Sequence, residues 1–328
     1  METFDRIDRA RPAPLPRPDR ADGSPRRVGV EIEFGGLAEA RAAATAQGVL
    51  GGRVEARSQH DLCLTGSALG DVEVYLDTAW RDRAGTVLGD LGLDLGRAVV
   101  PVEVVTDPVT VPDLPRLDAL ARALRRDGAT GSRDGLFLGF GLHLNVETAG
   151  DTVEDLLPVL RAYALLEDWL RYADPIDPSR RVLPFADPYP RSFVDRLARD
   201  GAGWSLAELV DIYLEETPTR DRGLDMLPVF LGLLPDRVEA AIGAATAVTA
   251  RPTFHYRLPD SRIDDPDWSI VYEWNRWVMV ERLAARPDLL ERLARQWAEY
   301  RTTLTTVRPD WLAHLDRYVT RHLLTEAA

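Results

Sequence analysis

The stretch Val28-Gly-Val-Glu-Ile-Glu-Phe34 decides how this chain is read, because it sets Glu31 and Glu33 two residues apart inside an apolar run. In a β-strand, residues i and i+2 project from the same face. Val30, Ile32 and Phe34 are then buried on one side while both acids leave together on the other. Two unpaired like charges that close destabilise a strand. A divalent cation between them removes the repulsion and calls for oxygen ligands. The stretch therefore predicts a strand of a magnesium-dependent enzyme.

Outward from this strand, residues 28–147 read mostly as strands. A helix is expected over 38–47, ended by Gly48. Residues 53–57 and 62–65 suggest a strand pair. Residues 71–77 alternate, with Val72, Val74 and Leu76 on one face and Glu73, Tyr75 and Asp77 on the other. Further strands are expected at 99–105, carrying Glu103, and at 136–146, with a helix over 111–126 between them. From 151 the chain turns helical. Asp151-Thr-Val-Glu154 has the spacing of a capping box before a helix over 156–172. More helices are expected at 192–199, 206–215, 236–245, 268–285, 287–305 and 311–324. One strand returns at 253–258, between Pro252 and Pro259. Strands first and helices later read as α+β, an antiparallel or mixed sheet covered by helices on one side. Trp169, Trp204, Trp268, Trp274, Trp277, Trp297 and Trp311, at helical spacing, read as core.

Polar residues interrupt the apolar strands in the same i, i+2 rhythm. They are Glu31 and Glu33; Glu73, Tyr75 and Asp77; Glu103; His143, Asn145 and Glu147; and His255 with Arg257. An antiparallel sheet often leaves one face in water, so any one of these groups can be a solvated face. As a set they are six acids and a histidine with no Arg among the first four groups, which predicts a shared cleft. Carboxylates with imidazole suit Mg²⁺ or Mn²⁺, and a later Arg suits a phosphate or a carboxylate. A lone His in an apolar strand is usually a hydrogen-bonded core residue. In Gly139-Phe-Gly-Leu-His-Leu-Asn145, however, two glycines precede it and permit close backbone approach. Arg257 has a structural alternative, pairing with Asp260 or Asp264. Asn275 and Arg276 lie where they can reach substrate, against the simpler readings of solvated helix positions or packing of Trp274 and Trp277. Two Pro/Asp-rich loops, 173–178 and 185–190, are stiff enough to rim a cleft.

The bulk composition bounds these readings. The 328 residues, 45% hydrophobic, fit one large domain or two smaller ones with a substantial core. A net charge of −13 argues against sequence-independent binding to nucleic acid or to an anionic membrane. The chain has no Lys, so its 40 basic residues are all Arg, which excludes a Schiff-base, P-loop or ATP-grasp lysine. Cys63 is the only cysteine, so no disulfide forms within the chain, which fits a reducing cytosol. Its one nearby activating candidate is His60, and a buried filler is the simpler role. No apolar run is long enough to span a bilayer and no secretory signal opens the chain; a cytoplasmic protein is expected. Residues 1–26, rich in Arg, Pro and Asp, read as a flexible leader before a single domain over 27–328.

Taken in order, the motifs resemble the amidoligase family of carboxylate–amine ligases, which shares the catalytic fold of glutamine synthetase and γ-glutamylcysteine synthetase. Gly29-Val-Glu-Ile-Glu-Phe34 resembles the family's first strand, where both acids bind metal. Val102-Glu-Val-Val-Thr-Asp-Pro108 resembles its next acidic motif, with Glu103 as ligand. Gly141-Leu-His-Leu-Asn145 is similar to its Gly-x-His-x-(His/Asn) motif, and Arg257-Leu-Pro-Asp260 to the segment whose Arg handles phosphate. The resemblance covers residues 28 to about 260. It implies a glutamine synthetase-like cleft, with metal on Glu31, Glu33, Glu103, His143 and His255, and ATP contacts from Gly141, Asn145 and Arg257. It further implies Arg257 as the catalytic arginine and amide formation from a small-molecule or peptide acid and an amine through an acyl phosphate. Glu73 or Asp77 is the candidate general base, and ring-like oligomers are known among glutamine synthetases. His255 stands where such enzymes usually carry Glu. Two alternatives remain open: a metal-dependent hydrolase using the same acids, and a nucleotide-binding protein whose ligase chemistry has decayed.

Overall fold

The alternation read in the opening stretch is realised in a computed structural model that describes residues 2–77, 100–132, 139–173, 186–243, 248–302 and 308–324. Val28–Phe34 is strand β1, followed by β2 (Arg53–Ser58), β3 (Asp61–Ser67), β4 (Gly70–Leu76), β5 (Val102–Thr106), β6 (Leu142–Glu147), β7 (Leu224–Asp225) and β8 (Thr253–Tyr256). These eight form one open sheet in the order β2-β3-β4-β5-β1-β6-β8-β7. Every pairing along it is antiparallel. The fold is α+β, as expected. β1 is central, and its apolar face (Val28, Val30, Ile32, Phe34) is completely buried. Helix Glu39–Leu50 lies over β3 and β4 through Ala42, Ala43 and Ala46. Trp277 packs beneath β8, 5.7 Å from the Phe254 ring and 5.2 Å from the Tyr256 ring. The seven tryptophans expected in the core are core residues, Trp204 being the one among them only partly buried.

Helix Ile270–Ala284 is buried from Ile270 through Glu281, so it runs through the core instead of lining it. A buried helix must hold its polar side chains in internal pairs. Glu273 pairs with Arg276, and Glu281 receives two bonds from Arg26, at 2.6 and 3.0 Å. Asn275 and Arg276 are thus structural, neither solvated nor facing a substrate. Asn275 in particular binds the start of the chain: its amide donates to Asp8 O and Arg11 O and its carbonyl accepts from Ala13 N. Trp274 Nε1 donates to Ala13 O, and Phe4, Ile7 and Leu15 are buried. The segment 2–26, expected to be a flexible leader, is therefore clasped to this helix. Its composition misled because backbone carbonyls, which composition does not show, make the attachment.

Other departures are local. Gly48 sits inside helix Glu39–Leu50, which ends instead at Gly51, whose φ of 72° only Gly adopts readily. The expected capping box at Asp151 and Glu154 is replaced by half of one a residue later, Asp155 Oδ2 accepting from Thr152 N at 3.2 Å ahead of helix Val153–Ala173. Helix Leu227–Leu233 and the two-residue β7 were not foreseen. Expected strand residues 99 and 136–138, loop residues 174–178 and 185, and helix ends at 244–245 and 303–305 lie outside the described residues. Among the described residues no helix is long and apolar enough to cross a membrane.

The buried helix also carries a pH-sensitive cap. Ser269 Oγ accepts from Tyr272 N, and Asp118 Oδ1 accepts from Ile270 N at 2.6 Å. Burial raises the Asp118 carboxyl to about 6 against the pull of the Ile270 and Val271 amides. The folded chain thus holds a proton that the unfolded chain releases near pH 4. Stability from this group is complete below that pH and lost as pH rises through 6. Asp118→Asn keeps an acceptor for Ile270 N–H and removes the loss. It should flatten the fall in Tm across pH 4–6 and gain about 1–2 kcal/mol at pH 7, less whatever the charge contributes at the helix N-terminus. An unchanged pH profile would show that Asp118 is not the group responsible.

Candidate functional site

Residues directly opposed across an antiparallel ladder share a face. Glu33 of β1 stands opposite Glu103 of β5, which stands opposite Tyr75 of β4. Glu31 stands opposite His143 of β6. Asn145 stands opposite His255 of β8, which stands opposite Asp225 of β7. The i, i+2 rhythm in five separate strands therefore delivers one polar face, and that face floors a cleft of about 300 Å³.

The cleft has two chemical halves. Glu31, Glu33, Glu73, Asp77 and Glu103 line one, and Arg220, Arg251 and Arg257 the other, with His143, Asn145 and His255 between. Glu31 is held by three neighbours: His143 Nδ1 at 2.8 Å, Asn145 Nδ2 at 2.7 Å and Arg251 Nη1 at 3.4 Å. Burial opposes its ionisation, but the hydrogen bonds from His143 and Asn145 outweigh it and keep the carboxyl well below the usual range. Burial also lowers His143, to about 3, against the pull of Glu31, so the imidazole is neutral and able to ligate. Its Nε2 lies 3.8 Å from Glu33 Oε1.

Glu103 behaves in the opposite way. Burial first, then the charges of Glu31, Glu33 and Asp77, push its carboxyl well above the ordinary value. Burial and the Glu103 charge push the Tyr75 phenol up as well. Carboxylates that hinder each other's ionisation are what a bound cation relieves. Two groups place their donor atoms within 4.8 Å of one another: Glu33, Glu103 and His143; and Glu31, His143 and His255. His255 Nε2 is buried and has no hydrogen-bond partner among the described residues. Both groups fit divalent cations in donor type and in spacing.

All the expected ligands thus meet in one place. Other expected residues are engaged differently. Gly141 N donates to Glu33 Oε2 at 2.7 Å and Asn145 Nδ2 to Glu31, so these donors orient the acids instead of facing outward. Glu73 is partly exposed at the cleft's lip, paired with Arg57. Arg257 is buried, and its Nη1 donates to Arg220 O at 2.8 Å. Glu147 turns away to Arg20 and to Arg27 N. Cys63 is buried, and burial raises its thiol, while His60 pairs with Glu39, which supports the filler role. The sequence reading missed Asp225, Arg220 and Arg251. A two-residue strand shows no alternation, and the two arginines sit on irregular segments where no spacing marks them.

No curated protein and no solved structure matches this chain. A family model described as "Putative amidoligase enzyme" matches residues 24–279, a span that holds every residue of the cleft, and the chain belongs to that family.

Proposed function

We propose that the cleft forms amide bonds from a small-molecule or peptide carboxylate and an amine at the expense of ATP, in a glutamine synthetase-like manner. The observation that carries this reading is the division of one cleft into a carboxylate half and an arginine half. Metal-assisted phosphoryl transfer needs both: acids to hold cations and guanidinium groups to meet phosphate. Glu33 and Glu103 would hold one Mg²⁺ or Mn²⁺, and Glu31 with His143 and His255 a second. Bound there, such ions would neutralise the phosphate oxygens of ATP.

Arg257, held in place by the Arg220 carbonyl, stabilises the phosphoryl group as it passes to the substrate carboxylate, giving an acyl phosphate and ADP. The amine then adds to the carbonyl carbon, phosphate leaves with the C–O bonding pair, and the nitrogen loses a proton. Asp77 is favoured over Glu73 as the acceptor of that proton. Glu73 is already paired with Arg57 and partly exposed, whereas Asp77 is buried within the cleft.

The test is a melting experiment with ATP, with and without Mg²⁺ or Mn²⁺, followed by ADP release from pools of acids and amines. The ligase reading requires cation-dependent ATP binding and ADP release that depends on both an acid and an amine. A cation response with no nucleotide response favours the hydrolase. ATP binding with no ADP from any pool favours a binding protein with decayed chemistry.

A further inference from the structure

We infer that Asp225 is a positioning residue that holds His255 with its Nε2 lone pair facing the cleft. The Glu31–His255 side of the site is thereby built for imidazole-binding divalent ions such as Mn²⁺, Co²⁺ or Zn²⁺ in preference to Mg²⁺. Asp225 is completely buried at the sheet's far edge. Its Oδ1 accepts from Leu227 N at 2.9 Å, which fixes the carboxylate. Its Oδ2 lies 3.3 Å from His255 Nδ1 and 3.5 Å from Arg220 Nε. A carboxylate accepting from Nδ1–H leaves the lone pair on Nε2.

That nitrogen is in a residue only 5% exposed and has no hydrogen-bond partner among the described residues. An unsatisfied buried acceptor is a cost that a ligand removes. The ligand this environment takes is a cation, because the His255 donor atom shares a 4.8 Å group with those of Glu31 and His143. The His143 ring stands edge-on to the His255 ring, centroids 5.3 Å apart. One carboxylate and two imidazoles are a poor set for Mg²⁺, which demands oxygen, and a good one for later divalent ions. The inference rests on the cleft holding divalent cations and is independent of the reaction run there.

The metal-stripped full-length chain is titrated calorimetrically with Mg²⁺ and with Mn²⁺, and the Mn²⁺ form is examined by pulsed EPR for ¹⁴N couplings. Wild type should bind Mn²⁺ at least tenfold more tightly than Mg²⁺ and show two coordinated imidazoles. His255→Ala should lose one ¹⁴N coupling and about tenfold in Mn²⁺ affinity, with Mg²⁺ affinity little changed. Asp225→Asn should weaken Mn²⁺ by about 10–100-fold, the usual cost of losing a ligand's supporting carboxylate, and lose the same coupling. If Asp225→Asn fails to fold, the wild-type spectrum and His255→Ala still decide. Equal Mn²⁺ and Mg²⁺ affinities, or a spectrum that His255→Ala leaves unchanged, overturn the inference while the cation site stands. Failure of wild type to bind any divalent ion removes both.

Discussion

Glu103→Gln should make the metal-free protein more stable and abolish its response to divalent cations. Glu103 is buried among Glu31, Glu33 and Asp77, and burial and these charges raise its carboxyl well above the ordinary value. A folded value above the unfolded one means stability that is complete below about pH 4.5 and lost as pH rises through the folded value. Once Glu103 is ionised, the metal-free cleft is therefore under electrostatic stress that a cation would relieve. Glutamine keeps the shape and removes one charge. Without metal its Tm should exceed wild type, by roughly 2 °C for each kcal/mol relieved in a chain of this size, with a flatter profile as pH rises above about 4.5. With Mg²⁺ or Mn²⁺ the wild type should gain stability and the variant should not. Melting curves in chelator and in each cation decide it. A variant that is less stable without metal, or equally responsive to it, would remove Glu103 from the metal set.

Arg257→Gln should leave cation-dependent ATP binding within about threefold and lower amide formation by about 10³, the lower end for a guanidinium that meets the transferring phosphoryl group. Arg257 is 4% exposed yet opens onto the cleft, and Arg220 O holds one of its nitrogens. Losing that bond should cost only about 1 kcal/mol of stability, so the variant should be folded when assayed. Retained turnover would remove the catalytic role. Lost ATP binding with a normal melting curve would reassign Arg257 from the transition state to nucleotide affinity.

What the sequence made legible follows from strand periodicity. Glu31 and Glu33, Glu103, His143, and His255 with Arg257 each announce a polar face by spacing alone, and pairing in register brings those faces together. The α+β arrangement followed from the order of strands and helices, which left the sheet antiparallel or mixed. Asp225 was illegible because β7 has two residues. Arg220 and Arg251 approach the cleft from segments with no repeating pattern. Asn275 and Arg276 looked soluble by residue type, and only the enclosure of helix Ile270–Ala284 shows that they bind inward. The first 26 residues looked unattached for the same reason: their partners are remote in sequence.

That remoteness has a bearing on biosynthesis. Ala13 and Asp8 reach their partners Trp274 and Asn275 across 261 and 267 positions, and Arg26 reaches Glu281 across 255. A ribosome releases the opening segment long before its seat has been translated. Phe4, Ile7 and Leu15 must therefore stay solvated through most of elongation, spaced by prolines and arginines that keep a nascent chain extended and dispersed. Residues made well before their seat are then among the last to dock.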